Sequence, residues 1–216
     1  MGFHLAYTLS ELPFVALTLI IAFTVHEFAH AYTAYKFGDQ TAKKQGRLTL
    51  NPIQHLDPFG TLLIFFAGIG WARPVPVNRY HFKNPRAAGI LVSIMGPISN
   101  FLLAFIGFGI LFYLVFSGAA ANWPNVTKFF NYFVSLNLML FAFNLVPLPP
   151  LDGYRIIEDL VSPNLRAKLT GWEQYSILVF LVLMVTPLSN YTISPYINWV
   201  SHWATNSFNS IFSMFM

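Results

Sequence analysis

Residues 23–34 read FTVHEFAHAYTA, which sets His26, Glu27 and His30 in an HExxH pattern inside an otherwise apolar run. Four residues is slightly more than one helical turn. On a helix His26 and His30 therefore stand one above the other on the same face, where two imidazoles can grip one metal ion. Glu27, beside the first histidine, can take a proton from water activated by that metal without being a ligand itself. Three ionisable side chains within five residues of a membrane-depth helix are costly unless paired, hydrated or functional, so metal binding is the favoured reading. Its competitor is a chance match, with the histidines hydrogen-bonded to carbonyls of a neighbouring helix.

The rest of the composition supports a membrane setting. Of 216 residues 56% are hydrophobic and only 9% charged, with mean hydropathy +0.56, whereas an ordinary soluble domain carries roughly 25% charged residues. The chain reads as an integral membrane protein in a lipid bilayer. It contains no cysteine, so disulfides and thiolate ligands are excluded and a transition metal must be held by histidine, carboxylate or water. The opening MGFHLAYTLS lacks a basic region, and no cleaved signal peptide is expected. The formal net charge of +4 comes with no nucleic-acid-binding motif, so nucleic acid is not expected as a partner.

Hydrophobic runs and their punctuation predict an all-α polytopic fold with about four transmembrane helices. The first runs from Pro13 to about Phe37, stopped by Gly38 and Asp39. Residues 38–57 are a polar, basic loop with one short strand. PFGTLLIFFAGIGW, Pro58 to Trp71, is apolar but too short to span, and is expected to be re-entrant. ARPVPVN at 72–78 alternates proline with valine, leaving the amides of Val75 and Val77 free as on a short edge strand; these two are candidate substrate-binding residues by strand addition. Further spans are expected at Ala87–Phe116, Val126–Val146 and Gly171–Thr186, with a surface helix over Tyr154–Thr170. The tail has Val200, Ala204, Phe208, Ile211 and Phe215 at helical spacing, which suits a C-terminal interfacial helix. No repeat or linker is visible, so residues 1–216 are expected to form a single domain.

This topology sorts the charges. Lys36, Lys43, Lys44, Arg47, Arg73, Arg79, Lys83, Arg86, Arg155, Arg166 and Lys168 share one side, and Lys128 alone falls opposite. The positive-inside rule makes the crowded side cytoplasmic and turns the metal-binding end of the first helix toward it, in a multi-pass protein of the cell membrane.

Two histidines need a third protein ligand, since a catalytic zinc site has three and an open position. Asp152 ends a membrane-depth run in NLVPLPPLDG, where a lone carboxylate is costly without a cation. Its alternative role is helix N-cap for the segment that follows; the histidine pair tips the balance toward a ligand. His55 and Asp57 are a loop HxD pair that either approaches the metal or serves the turn at Pro58, the second being favoured.

HEFAH at 26–30, GPISN at 96–100 and NLVPLPPLDG at 144–153 together resemble the site-2 protease family of intramembrane zinc metalloproteases, with GRLTLNPIQHLDPFG at 46–60 and ARPVPVN at 72–78 similar to one subgroup. The resemblance implies one Zn2+ per chain held by His26, His30 and Asp152, with Glu27 activating water as catalytic base. It also implies that Asn144, leading the NxxPxPxLDG motif, and Asn100, closing GPxxN, bind substrate or shape its cleft; interhelical hydrogen bonds are the alternative for both. The chain resembles the compact form, without room for a PDZ domain between the motifs or a nucleotide-sensing domain after them, and without a helix before HEFAH.

The expected function is an intramembrane zinc endopeptidase acting on transmembrane segments of membrane proteins near the cytoplasmic side. The alternatives are a non-catalytic metal-binding scaffold and a metal-ion transporter. Glu27 argues against the first, and the absence of repeat symmetry against the second.

Overall fold

A computed structural model describes residues 7–67 and 70–215. Eight α-helices carry the described chain: α1 (Leu12–Lys36), α2 (Thr41–Lys44), α3 (Pro58–Ala67), α4 (Pro85–Phe116), α5 (Pro124–Asn144), α6 (Asp152–Leu160), α7 (Pro163–Val185) and α8 (Ile193–Ser213). Proline starts most of the long helices within their first two positions, in α1, α4, α5 and α7, where its missing N–H removes no helical hydrogen bond. Three helices, α1, α4 and α5, are long and apolar enough to cross a membrane; α7, bent by 51° between Ser176 and Leu178, qualifies as a fourth only if its two halves count as one span. The protein is an all-α, multi-pass membrane protein. Leu102, Ile106, Ile110 and Tyr113 on α4 are exposed at near-helical spacing, a stripe that bilayer tails rather than water would cover.

Residues 62 and 74 apart along the chain meet where α1 packs antiparallel on α4, His30 reaching Val92 and His26 reaching Asn100. α5 packs against both helices and runs antiparallel to α4: Asn100 meets Asn137 and Gly107 lies against Phe133. One apolar cluster joins α1 to α5 through Val15, Leu19, Ala22, Phe23, Leu136 and Leu140. A second joins α4, α5 and α8 through Ala104, Phe108, Val134, Leu138, Ala204 and Phe208. Between helices in a bilayer such clusters hold by close packing, since lipid tails are as apolar as the side chains themselves.

The tail is helical as expected, with Val200, Ala204 and Phe208 as its buried stripe and Ile211 and Phe215 exposed, but it packs along a spanning helix instead of lying in the interface plane. Ring contacts run in step along both chains, Phe101 with Trp203 and Phe208, Phe105 with Phe208 and Phe212, Phe112 with Phe212. α8 thus lies lengthwise on α4 and points the same way. Two boundaries differ from expectation, the end of the surface helix and the start of the last span, which begins at Pro163 instead of Gly171. The surface helix stops at Leu160 instead of Thr170, because Pro163 opens a new helix; α7 then folds back on α6 through Arg155 with Glu173 and Thr170 with Glu158.

The segment expected to be re-entrant begins as α3 and returns to its starting point. Trp71 passes so close to Gly60 that a Cβ there would overlap its backbone, and Ala72 faces Leu56 in an isolated antiparallel bridge beside a bond from the Arg73 N–H to His55 O (2.8 Å). Residues 68 and 69 of that segment lie outside the described residues, as does His4. Neither the short strand of the 38–57 loop nor the edge strand of ARPVPVN extends beyond this one bridge. The reason is chemical: Pro74 and Pro76 have no N–H to give, and the Val75 N–H is donated to Glu27 Oε2 instead (2.8 Å).

Asp39, fully buried just beyond α1, staples this strap to the helix end. It accepts from the Thr41 and Asn78 amides, the Thr41 hydroxyl and His81 Nδ1. Burial alone would raise its pKa, but the bonds from His81, Thr41 and Asn78 outweigh it and hold the carboxyl below its ordinary value.

Candidate metal centre

His26 and His30 lie in the middle of α1, and Asp152 opens α6 directly after the proline-rich turn that ends α5. Their donor atoms converge. His26 Nε2 and His30 Nε2 are 3.0 Å apart, and Asp152 Oδ2 lies 3.1 Å from the first and 3.3 Å from the second. Tetrahedral zinc with bonds of about 2.0–2.1 Å separates its donor atoms by roughly 3.3 Å, so the triangle has the right edge.

The far sides of both rings decide what this triangle holds. His30 Nδ1 faces the Val92 carbonyl (2.7 Å), an acceptor only, so it must carry the proton. His26 Nδ1 faces Asn100 Oδ1 (2.7 Å). The Asn100 amide is oriented by its nitrogen, which donates to Ala22 O (3.3 Å) and Asn137 Oδ1 (3.0 Å), so His26 Nδ1 is a donor as well. Neutral imidazoles protonated at Nδ1 present lone pairs at Nε2. Two lone pairs and a carboxylate oxygen that is buried without a hydrogen-bond partner thus point into one space. Three acceptors without a donor are mutually repulsive, and a cation resolves them. The residues present fit zinc.

The N-cap alternative for Asp152 fails on geometry. Leu151 is the N-cap of α6 and makes no side-chain cap, while the Asp152 carboxylate turns to the histidines. His55 and Asp57 do not join the group. His55 is fully buried with Nε2 on Thr49 O (2.7 Å), and Asp57 Oδ1 accepts from the Gly60 N–H (2.8 Å) at the start of α3.

Glu27 is buried, and one carboxylate oxygen is held by Val75. The amide that the sequence reading leaves free for a substrate is therefore engaged. The Val77 N–H has no partner among the described residues, and its side chain packs against Ala34, Phe82, Ala88 and Val92. Asn100, expected at the substrate, instead stands behind His26, fully buried with both ends of its amide bonded within the protein. Asn144 is the last residue of α5, its nitrogen donating to Leu140 O (2.9 Å).

Two residues that sequence reasoning missed complete the centre. Asn137 is fully buried on α5 and passes the chain from Asn100 to Phe133 O (2.8 Å); a third asparagine at membrane depth was the available signal. Gly96 on α4 lies under both imidazoles, and a Cβ there would overlap His30 Nε2 and approach His26 Cε1 within 2.7 Å. Replacing Asn100 with Ala should lower zinc affinity about 10–100-fold, the usual cost of losing a partner that orients a ligating histidine. Competition against a chelator of known affinity measures it, and an unchanged affinity would contradict the orienting role.

Residues 113–187, a range containing Asn144 and Asp152, match Peptidase family M50. The chain is 62% identical over 197 residues to "Putative zinc metalloprotease YwhC" of Bacillus subtilis, covering 90% of each. It is 30% identical to "Putative zinc metalloprotease Rip2" of Mycolicibacterium smegmatis, over 86% of this chain and 74% of the relative. It is 28% identical to "Putative zinc metalloprotease MJ0611" of Methanocaldococcus jannaschii, over 63% of this chain and 64% of the relative. No solved structure matches. Identity at the level of the first relative, sustained over nine-tenths of both lengths, reflects common descent, and it agrees with the two-histidine, one-carboxylate centre built here: the chain belongs to Peptidase family M50, the site-2 protease family.

Proposed function

We propose that the protein is an intramembrane zinc endopeptidase, a single domain over residues 1–216, that hydrolyses peptide bonds in transmembrane segments of membrane proteins. The observation that carries this reading is the convergence of three unpaired acceptors beside Glu27. His26, His30 and Asp152 would hold zinc, which would supply a Lewis acid for the scissile carbonyl and a water that is nucleophilic near neutral pH. Glu27 accepts the proton of the attacking water and delivers it to the leaving amine nitrogen. Asn100 and Val92 hold the two imidazoles in the tautomer that leaves Nε2 free.

A helical substrate keeps its carbonyls internally bonded and must unwind locally before attack. Val77, whose amide has no partner among the described residues, pairs with the extended stretch while the Val75 amide stays on Glu27, and Asn144 receives its backbone at the mouth of the Asp152 turn. The lysine and arginine bias supports a cleavage site toward the cytoplasm, in a protein that we place in the cell membrane.

The test is metal removal and return. Protein in detergent, stripped by a chelator, should lose all cleavage of a panel of transmembrane substrates and regain it as zinc approaches one equivalent. Zinc binding without cleavage of any substrate would favour a scaffold. Metal flux across sealed vesicles without cleavage would favour a transporter.

A further inference from the structure

Arg47 sits in the polar loop between α2 and α3, yet is only 5% exposed. A buried guanidinium is normally matched by a carboxylate hydrogen-bonded to it. Arg47 has no such ion pair among the described residues. Its Nη2 donates to two successive backbone carbonyls, Arg73 O (2.5 Å) and Pro74 O (3.4 Å). The next amide along the strap is that of Val75, and it is donated to Glu27 Oε2 (2.8 Å). Burial draws the Arg47 guanidinium below its ordinary pKa, and the nearby charge of Glu27 opposes that fall.

The strap is therefore tied on two edges. Arg47 and His55 hold the backbone of Arg73 and Pro74 from the loop side, and Glu27 holds Val75 from α1. Pro74 and Pro76 have no N–H, so across residues 74–76 the Val75 amide is the sole donor, and where it points depends on how the carbonyls before it are fixed.

We propose that Arg47 is a positioning residue for the general base. By fixing the Arg73 and Pro74 carbonyls it aims the Val75 N–H at Glu27 Oε2, which holds the carboxylate in one rotamer and leaves Oε1 to meet the water. Arg47 touches neither water nor substrate and acts through the strap. The inference rests on the proposed role of Glu27 as base.

Two measurements test it. In zinc-free protein, hydrogen exchange at residues 74–76 reads the Val75 amide alone. Exchange there should be slow in the wild type and faster by at least tenfold in Arg47→Met, with Arg47→Lys between them, because an ammonium can still donate to both carbonyls. In the zinc-loaded enzyme Arg47→Met should lower kcat up to about 100-fold, the cost of a misplacement on the order of 1 Å. KM should stay within about twofold and zinc content at the wild-type level, and Arg47→Lys should recover most of the rate. Unchanged Val75 exchange in Arg47→Met would overturn the proposal, and so would zinc content or KM collapsing together with kcat in both variants, which is the mark of general misfolding. The exchange measurement does not depend on catalysis. Failure of the base assignment would appear separately, as full activity in a Glu27 variant whose Val75 contact is intact.

Discussion

Glu27→Gln is expected to retain zinc at the wild-type level and to lose peptide cleavage by about 10²–10⁴-fold, the range set by removing a positioned general base. The structure makes this substitution clean. Glu27 Oε2 accepts from the Val75 N–H, and the carbonyl oxygen of a glutamine can accept the same bond, so strap and side chain stay in place. What disappears is the capacity to take a proton. Glu27→Ala, in contrast, strands the Val75 amide and mixes two effects, since a buried donor without a partner costs about 1–3 kcal/mol. Metal analysis and turnover of one transmembrane substrate, measured on the same preparation, separate the roles. A Gln variant that cleaves at the wild-type rate would remove Glu27 from the chemistry. One that also loses zinc would make Glu27 a ligand, contrary to the donor triangle formed by His26, His30 and Asp152.

The group that could hold a metal, His26, His30 and Asp152, was legible in the sequence because each part is a local signal. His26 and His30 announce themselves by spacing on one helix face, and Asp152 by the cost of a carboxylate at the end of an apolar run. The spans were legible for the same reason, since proline at the start and glycine or proline after the end bracket an apolar run of membrane length. What escaped depends on contacts between distant segments. Asn100 was singled out but read toward the substrate. Its place behind His26 follows from the antiparallel seating of α1 on α4, which places Val92 behind His30 as well. Arg47 looked like one of many loop charges until the fold buried it on the carbonyls of Arg73 and Pro74. The strap was read as an edge strand with the Val75 and Val77 amides free, whereas among the described residues only the bridge from Ala72 to Leu56 forms. Its one remaining amide near the site, that of Val75, went to the carboxylate beside the metal ligands, and no pattern within residues 72–78 encodes that partner. The end of the surface helix was misjudged for a local reason: charged and apolar residues continue in helical fashion past Leu160, and Pro163 restarts a helix rather than merely interrupting one.

Gly96→Ala is expected to abolish stoichiometric zinc binding, although it adds a single methyl group far from any ligand in sequence. The new Cβ would overlap His30 Nε2 and lie 2.7 Å from His26 Cε1, inside van der Waals contact with both imidazoles at once. Such a clash is usually relieved by a small shift of one helix. Here that shift is blocked, because the atoms that orient the two rings, Val92 O and Asn100 Oδ1, belong to α4 itself. Moving α4 away from α1 pulls the hydrogen bonds off Nδ1, and rotating the rings turns Nε2 away from Asp152. Either response breaks the donor triangle, so the loss should be at least the 10–100-fold typical of a displaced orienting partner, on top of an overpacking cost of about 1–3 kcal/mol. Gly107→Ala, on the same helix, is the matched control. Its Cβ would approach Phe133 Cδ1 within 2.6 Å, crowding the α4–α5 seam by a comparable amount, away from the metal ligands. Both variants should melt at lower temperature than wild type in detergent, but only Gly96→Ala should come out of purification without zinc. Retention of zinc by both would show that α4 can yield without disturbing the imidazoles. Loss from both would show that the centre answers to the stability of the whole bundle and not to the space beneath His26 and His30.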